Sequence, residues 1–314
     1  MKILITGGAG HIGGSLGAAL ARRGDCHVTL VDNLSTGLQS NLPKNEGHWS
    51  FIKADVNSFE DMGAIMTTHG FDYVFHYAAV VGVKRTQENP VSVLRDLQGI
   101  RIVLDLCKNT GVKRVFFSSS SEVYGEPVGF PQHEDTTPLN SRLPYAVVKN
   151  VGESFCRSYY QEYGLPYTIF RFFNTYGPLQ STDFVISKFI RAALKGDDVT
   201  IYGDGSQTRT FCHIDDNVAA TITCLSDDET VNNTLNIGHD TEVSILDLAR
   251  LVIRKTGSRS KIVHLPPLKA GDMTRRQPSN AKMLNLLGRP LIDLETGLEM
   301  LLRDEAFCKR LSDP

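Results

Sequence analysis

A tyrosine and a lysine stand four residues apart, in the stretch YAVVK at 145–149. If this stretch is helical, Tyr145 and Lys149 lie one turn apart on the same face. A lysine ammonium close to a phenol lowers the pKa of the phenol, which makes Tyr145 a usable acid or base near neutral pH. The pair therefore predicts proton transfer with a substrate hydroxyl. The alternative is an ion-bearing pair on a solvated helix surface.

A run of hydroxyl side chains, SSSSEVYG at 118–125, follows an apolar stretch that is predicted to be a buried strand. Its hydroxyls can hydrogen-bond to the substrate hydroxyl from which Tyr145 takes the proton. We therefore expect the serine run and the Tyr145–Lys149 pair to meet at one edge of a sheet.

A glycine-rich turn, TGGAGHIG at 6–13, comes directly after the first predicted strand. Gly7, Gly10 and Gly13 fit the pattern GxxGxxG, in which positions without side chains let the backbone approach a pyrophosphate. The phosphate then lies at the positive end of the following helix, which His11 and Ile12 begin. Because the turn follows a strand and opens a helix, it predicts a dinucleotide site.

An acidic residue, Asp32, ends the second predicted strand. Its carboxylate can accept hydrogen bonds from both hydroxyls of an adenosine ribose, and it repels a 2′-phosphate. No Arg or Lys follows closely, so NAD is favoured over NADP; the alternative is an Asp that caps a turn. Weaker candidates for cofactor contacts lie at the end of this strand and at the ends of the next two strands: Asn33, Asp55, Val56, Ala78 and Ala79. Core packing explains the two alanines almost as well.

The elements that must position these residues alternate between strands and helices. This alternation predicts an α/β fold, a Rossmann-type doubly wound parallel sheet with helices on both faces. Apolar runs predict strands at Lys2–Thr6, His27–Asp32, 50–54, 73–77, 114–118 and 167–171, and helical spacing predicts helices at 11–23, 58–69, 92–109 and Pro144–Tyr163.

After residue 174 the rhythm changes. Helices are predicted at 183–195, 244–256 and 294–311, and a short strand at Val199–Tyr202. We expect an NAD-binding domain at 1–174 that carries the catalytic residues. Residues 175–314 are expected to form a smaller substrate-binding α/β cap, with some elements returning to the main sheet.

The composition is that of an ordinary globular chain of 314 residues, with 41% hydrophobic residues and a net charge of −2. Nucleic-acid and anionic-membrane binding both need a basic excess, so neither partner is expected. No apolar run reaches the roughly 18 residues that span a bilayer, and glycines interrupt the N-terminus too soon for a secretion signal. The six cysteines are dispersed without a CxxC pair, which predicts a reduced, cytoplasmic protein without a metal site.

Four features together, TGGAGHIG, Asp32, SSSSEVYG and YAVVK, resemble the extended short-chain dehydrogenase/reductase family, whose members modify nucleotide-diphosphate sugars. The resemblance implies that NAD is the cofactor and accepts the hydride of the sugar C4 while Tyr145, beside Lys149, takes the proton of the C4 hydroxyl. It implies that Ser120 is the catalytic hydroxyl. It also implies a homodimer that pairs helices 92–109 and Pro144–Tyr163.

The resemblance extends to the substrate side. The stretch FFNTYGP at 172–178 resembles the RxxNxYGP stretch of the family, in which Asn174 would contact the substrate diphosphate. GDGSQTR at 203–209 resembles GDGxxxR, in which Arg209 would bind a phosphate. Lys84 in the loop VVGVKR, Ser121, and Arg276 in the stretch RRQP are the other expected substrate contacts, and HIDD at 213–216 is expected to be mostly structural.

Glu122 separates the possible reactions. The 4,6-dehydratases of the family resemble TDEVYG here, and this chain keeps the Glu but has Ser121 in place of the Asp. The decarboxylases resemble TSEVYG and have stretches similar to GEPVGFPQ, GSQTRTF and RRQP, whereas the loop after the fourth strand is closer to epimerases and 5,6-dehydratases. We expect a nucleotide-sugar dehydratase (4,6- or 5,6-) with Glu122 as the C5 base. The alternatives are a UDP-glucuronate decarboxylase, a 4-epimerase or 4-dehydrogenase, or, in a different class, a non-catalytic NAD-binding regulator.

Overall fold

A computed structural model describes residues 1–44, 47–82, 86, 88–126, 128–267 and 275–312 of the chain. Its strands are Lys2–Thr6 (β1), His27–Asp32 (β2), Trp49–Lys53 (β3), Tyr73–His76 (β4), Arg114–Ser120 (β5), Tyr167–Phe172 (β6), Thr175–Tyr176 (β7), Val199–Tyr202 (β8), Thr208–Thr210 (β9), Cys212–His213 (β10), Asn233–Ile237 (β11), Glu242–Ser244 (β12) and Ile262–Leu265 (β13).

The helices of the described residues lie mostly between these strands. They are His11–Ala21 (α1), Phe59–His69 (α2), Pro90–Leu94 (α3), Asp96–Thr110 (α4), Pro144–Tyr163 (α5), Val185–Lys195 (α6), Ile214–Thr223 (α7), Ile245–Thr256 (α8), Ala281–Leu287 (α9), Leu294–Arg303 (α10) and Glu305–Ser312 (α11), with short 3₁₀ turns at Gln39–Asn41, Ser121–Tyr124 and Asp228–Thr230.

Seven strands form one parallel sheet in the order β11-β6-β5-β4-β1-β2-β3. The chain turns from one half of the sheet to the other between β1 and β4. In open α/β sheets, ligands bind outside the carboxyl ends of the strands at such a switch point. The glycine-rich turn after β1 and the serine run at the end of β5 both lie at this edge.

Alternate side chains of the central strands enter two separate apolar cores. Leu4 packs in one core with Phe117, whereas Ile3 and Ile5 pack in the other with Phe116. Successive side chains of a strand point to opposite faces, and each face is covered by helices. Helices α2, α4 and α5 supply side chains to the first core, and α1, α7 and α9 supply them to the second. Both faces of the sheet are therefore buried, as parallel strands require.

A third core fills the C-terminal part of the chain. Phe189 of α6, Leu248 of α8, Leu298 of α10 and Phe307 of α11 are buried in one cluster. The strand pairs β8–β13 and β9–β12 border this cluster. This part of the chain also supplies β11, which pairs with β6 and extends the main sheet.

The predicted fold class is confirmed, and the predicted elements differ from the observed ones at a few places. The expected helix 92–109 is divided into α3 and α4 at Arg95. The expected helix 294–311 is also two helices, because Asp304 leaves helical geometry and its carboxylate accepts a hydrogen bond from the backbone N–H of Phe307. Strand β11 and helix α7 were not predicted. Among the described helices, none is long and apolar enough to cross a membrane.

Candidate active site

The glycine-rich turn forms a cradle that only glycine can line. Gly7 has a φ of +71°, and a Cβ on it would lie 2.8 Å from the backbone N of Ala78. A Cβ on Gly13 would lie 2.3 Å from the Gly7 carbonyl oxygen, which also accepts the N–H of Gly10. Helix α1 begins at His11 directly behind the turn. The backbone therefore fits the pyrophosphate of a dinucleotide, which lies at the N-terminus of such a helix.

Asp32 ties the end of β2 to this turn. Its carboxylate accepts the backbone N–H of Ala9 at 3.0 Å and that of Leu34 at 2.8 Å. A Cβ on Gly37 would lie 2.8 Å from both carboxylate oxygens, so the chain passes close to Asp32 on that side. The position suits the predicted ribose contact, because Asp32 lies at the carboxyl end of the strand next to β1.

The other predicted cofactor residues lie at the same edge with different surroundings. Asn33 is exposed, and the carboxylate of Asp55 accepts hydrogen bonds from the backbone and side chain of Asn57. Ala78 donates its N–H to the Thr6 hydroxyl. Val56 is buried, and Ala79 and Ile12 are partly buried. The imidazole of His11 is turned inward, and burial lowers its pKa to about 3.

Tyr145 and Lys149 lie in the first two turns of α5, which begins with Pro144 at its first position. Lys149 is 3% exposed, and its ammonium donates a hydrogen bond to the Ser118 hydroxyl at 3.2 Å. The same nitrogen lies 5.8 Å from the centre of the Tyr145 ring. Ser120, at the end of β5, is also buried. The predicted tyrosine, lysine and serine are thus brought together at the carboxyl edge of the sheet.

The expectation that Lys149 lowers the pKa of Tyr145 is wrong for this structure. Burial raises the pKa of Tyr145 well above its ordinary value, and the nearby Glu122 carboxylate raises it further, while a hydrogen bond with Ser120 and the charge of Arg276 oppose both. The ammonium is directed to Ser118 instead. The described side chains alone therefore favour the neutral phenol, and ionisation of Tyr145 needs a further positive charge at this edge.

Burial also lowers the pKa of Lys149 to about 8, against the opposing charge of Asp96. The Asp96 carboxylate is 7% exposed and accepts the backbone N–H of Val80 at 2.7 Å, and burial raises its own pKa. Asp96 is a residue that sequence reasoning missed, because nothing in its local pattern marks it as the partner of a distant lysine.

Glu122 and Arg276 form an ion pair beside Tyr145. The guanidinium lies 2.7 Å from one carboxylate oxygen of Glu122, and the side chains are 17% and 8% exposed, respectively. The second oxygen, Oε2, is buried and has no hydrogen-bond partner among the described residues. The charges of both side chains act on the pKa of the Tyr145 phenol. A partly buried carboxylate and a buried guanidinium therefore lie within electrostatic reach of the predicted acid–base group.

A cavity of about 280 Å³ lies next to this edge, between β7, α6 and β8. Asn174 and Arg209, both predicted substrate contacts, line it. The side-chain amide of Asn174 donates to the Thr210 carbonyl, and Arg209 donates to the Thr208 carbonyl. The cavity wall also includes aromatic and polar residues that sequence reasoning did not identify, among them Phe184, Lys188, Phe189, Tyr202 and Gln207. Aromatic faces with a few polar groups suit a planar nucleotide base.

The remaining predicted substrate residues give a mixed result. Ser121 is buried at 2% exposure in the turn that carries Glu122. Lys84 lies outside the described residues. His213, in the HIDD stretch, caps α7 by accepting the N–H of Asp215. This contact is consistent with the structural role expected for that stretch. Among the described residues, no group of three or more His, Cys, Asp or Glu side chains could hold a metal ion.

The depressed pKa of Lys149 predicts a pH-dependent stability. The folded protein releases this proton near pH 8 and the unfolded chain only near 10.5. Below about pH 8 the wild type therefore buries an ammonium at a cost, and its stability rises as the pH increases from about 8 to about 10.5, where only the unfolded chain still holds the proton. Lys149→Met has no such proton. We therefore expect the free energy of unfolding of Lys149→Met, relative to that of wild type, to fall by about 2 kcal/mol between about pH 7 and pH 10.

Urea unfolding at both pH values measures this difference. Lys261→Met, at an exposed lysine, is the control and should show no change in its difference from wild type. If the difference in the free energy of unfolding between Lys149→Met and wild type is as independent of pH as it is for the control, the Lys149 ammonium is solvated.

The comparisons with known proteins agree with this geometry. The model of the NAD dependent epimerase/dehydratase family matches residues 3–238. A UDP-N-acetyl-alpha-D-glucosaminuronate decarboxylase of Bacillus cytotoxicus is 38% identical, and the alignment covers 95% of each chain. UDP-glucuronic acid decarboxylase 1 of Danio rerio is 34% identical over 96% of this chain and 72% of its own.

A solved structure of similar fold is UDP-glucose 4-epimerase of Thermotoga maritima with UDP-glucose. It has a TM-score of 0.92 and 33% identity, and the match covers 99% of this chain and all of the other. The family match spans well over half of the chain and includes the glycine-rich turn, Ser120, Tyr145 and Lys149. The chain is therefore an NAD-dependent member of the epimerase/dehydratase family, within the extended short-chain dehydrogenases/reductases.

Proposed function

We propose that the protein decarboxylates a UDP-linked hexuronic acid, with oxidation at C4 as the first step. The observation that carries this proposal is the buried Arg276 paired with Glu122 within electrostatic reach of Tyr145. A guanidinium in a desolvated wall fits a carboxylate on the sugar, because a charge-assisted, bidentate contact offsets the cost of burying both charges. A neutral hydroxymethyl group at the same position needs no such cation.

The relatives support the same reaction. The two curated relatives described above are both decarboxylases of UDP-linked hexuronic acids. The dehydratase that the sequence favoured is less well supported than the decarboxylase alternative. A 4,6-dehydratase of this family has an Asp to protonate the departing hydroxyl, and a buried Ser121 hydroxyl is too weak an acid for that task.

In the first step the ionised phenol of Tyr145 takes the proton of the C4 hydroxyl. The Ser120 hydroxyl, which is close enough to affect the Tyr145 phenol through a hydrogen bond, holds the reacting oxygen. NAD, when bound, would supply the hydride acceptor for C4 and a positive ring that favours the ionised phenol, and the return of the hydride to C4 would leave no net oxidation. Lys149 keeps a positive charge near this edge, and its pKa of about 8 lets it share a proton at neutral pH.

The ketone at C4 makes the substrate a β-keto acid, which is why the second step follows. The C5–C6 bond breaks, and its electron pair moves to C5 and the C4 oxygen, where Tyr145 and Ser120 stabilise the negative charge. Carbon dioxide leaves, and C5 takes a proton in its place. Arg276 orients the carboxylate for this step, and Glu122 holds the guanidinium in place.

The nucleotide is proposed to lie in the cavity lined by Asn174 and Arg209. On this proposal residues 1–174 bind NAD and residues 175–314 supply most contacts to the nucleotide sugar. Pairing of two copies through the helices of residues 92–109 and 144–163 stays a prediction, as does a cytoplasmic location.

A second candidate function is 4-epimerisation, because a UDP-glucose 4-epimerase has a closely similar fold. The ketone would then receive the hydride on its other face, and no carbon would be lost. The pair of Glu122 and Arg276 favours a substrate with a carboxylate on C5 over UDP-glucose. The mass of the product then distinguishes decarboxylation of such a substrate from its 4-epimerisation, since a UDP-glucuronic acid 4-epimerase also has a similar fold.

Product mass spectrometry tests the proposal. Purified protein with NAD should convert UDP-glucuronate or its 2-acetamido analogue to a product that has lost carbon dioxide. Loss of water from UDP-glucose or dTDP-glucose would establish a dehydratase, and an unchanged mass with a new retention time would establish an epimerase. Either result without loss of carbon dioxide contradicts the proposal.

Tyr145→Phe should fold and bind NAD but lose about a hundredfold or more of its turnover, which is the scale of a positioned acid–base group. Tyr159→Phe is a matched control, because Tyr159 lies on the same helix and donates its hydroxyl to Asp105. Steady-state rates of both variants measure the effect. Near-normal turnover in Tyr145→Phe would remove Tyr145 from the reaction.

Arg276→Lys keeps the charge but loses the planar fork, and we expect decarboxylation to fall by about tenfold to a hundredfold. Arg275→Lys is the neighbouring control, because Arg275 pairs with Glu242 and stacks on Phe130 rather than facing Tyr145. Its rate should stay within about twofold of wild type. Equal losses in both variants would show that the effect is not specific to the carboxylate contact.

A further inference from the structure

The two members of the Glu122–Arg276 pair come from segments that are short and irregular. Glu122 lies in the 3₁₀ turn Ser121–Tyr124 after β5. Arg276 lies in an extended segment that begins the last described part of the chain. Neither segment belongs to the main sheet or to a long helix. Something else in the structure must therefore fix the distance between the carboxylate and the guanidinium.

Asn236, in β11, connects the two segments. It is fully buried, and its Oδ1 accepts the hydroxyl of Tyr124 at 2.7 Å. Its Nδ2 donates to the carbonyl oxygens of Gln132 at 2.9 Å and Ser279 at 3.2 Å. Tyr124 closes the turn of Glu122, and Ser279 follows Arg276 by three residues. One amide thus joins both segments through its acceptor and both of its donors.

The orientation of this amide is determined by its partners. The two carbonyl oxygens can only accept, so the nitrogen of Asn236 must face them and its oxygen must face Tyr124. The Tyr124 hydroxyl in turn accepts from Arg171 at 2.9 Å, which leaves its proton for Asn236. Donor and acceptor cannot be exchanged in any of these hydrogen bonds without breaking another one.

A buried ion pair anchors the network at its other end. Arg171 makes two hydrogen bonds of 2.8 Å to the carboxylate of Glu153, which also accepts the hydroxyl of Ser119 at 2.6 Å. Burial opposes ionisation of Glu153, but Arg171 outweighs it and holds the pKa of Glu153 below its ordinary value. The network therefore runs from the residue before Ser120 to the segment of Arg276, with β11 as its rigid centre.

We infer that Asn236 is a positioning residue for the second chemical step: it sets the separation of Glu122 and Arg276. The inference rests on the proposed decarboxylation. The proton-transfer group of the first step is held differently, since Lys149 is bonded to Ser118 and packs against Phe117. Loss of the Asn236 amide should therefore slow the loss of carbon dioxide much more than C4 oxidation, on which Glu122 and Arg276 act through the pKa of Tyr145.

Asn236→Asp tests this inference because it keeps the size of the side chain and replaces the two amide donors by at most one O–H donor. Single turnovers with UDP-glucuronate report the first step as absorbance of the reduced nicotinamide and the second as quenched product by mass spectrometry. We expect cofactor reduction within about threefold of wild type and product formation slower by about a hundredfold, the loss that a displacement of about 1 Å causes. Reduced cofactor should accumulate.

Two further variants keep the result interpretable. Tyr124→Phe removes two bonds of the network, the one that Tyr124 donates to Asn236 and the one that it accepts from Arg171, and leaves the Asn236 donors paired. It should slow mainly product formation, by about tenfold. Thr230→Val is the control, because the Thr230 hydroxyl accepts from buried Arg114 at the opposite edge of the sheet. It should lower the melting temperature without changing the ratio of the two rates.

The outcomes separate this inference from the proposed function. A wild-type protein that releases no carbon dioxide contradicts both. If wild type decarboxylates and Asn236→Asp slows both steps equally, or Tyr124→Phe leaves the ratio of the rates unchanged, Asn236 only stabilises the fold and the inference alone is wrong.

Discussion

The site depends on one interaction, the ion pair between Glu122 and Arg276 at the carboxyl edge of the sheet. On the proposed function, Tyr145, Lys149 and Ser120 together with bound NAD oxidise C4 of the sugar, and this first step is compatible with several reactions after it. The guanidinium favours an acidic substrate, because with Glu122 it places a planar cation beside Tyr145 that can bind a carboxylate. On the proposed function that carboxylate is attached to C5, where the ketone at C4 promotes its loss.

The charged side chains that are buried near this edge of the sheet lower the stability of the fold. Lys149 is buried among apolar and aromatic side chains and holds its proton only weakly. Arg171 and Glu153 form a second buried pair behind the serine run. Removing one member of such a pair costs about 3–5 kcal/mol, whereas an apolar pair of the same size is often as stable. Stability alone therefore does not explain these charged side chains. Their hydrogen bonds fix the geometry of the proposed catalytic residues, and this explains their presence.

Much of this could be predicted from the sequence where the signal is local. The glycine-rich turn, Asp32 and the Tyr145–Lys149 spacing each follow from a few neighbouring residues, and their elements lie within a few residues of the predicted bounds. The division of the last helix at Asp304 also had a local signal, since Asp three residues before Phe307 is typical of an N-cap.

The other features of the site depend on contacts between residues that are far apart in the sequence, and no local sequence pattern contains them. The pKa of Tyr145 is set by burial and by Glu122 rather than by the lysine four residues away. Asn236 lies in a short strand that was not predicted, and only the sheet brings it to Tyr124 and Ser279. The choice of reaction depends on such a contact as well: Glu122 alone suits a dehydratase, and its pairing with Arg276, which favours the decarboxylase alternative, is visible only in three dimensions.

The position of solvent hydrogen in the product tests the proposed decarboxylation most directly. With UDP-glucuronate and NAD in D₂O, decarboxylation gives a pentose product with one deuterium at C5 and none at C4, because C5 takes a solvent proton where carbon dioxide left while the hydride returns to C4. A product that keeps its C6 carboxylate, or one that carries no deuterium at C5, would rule out this reaction.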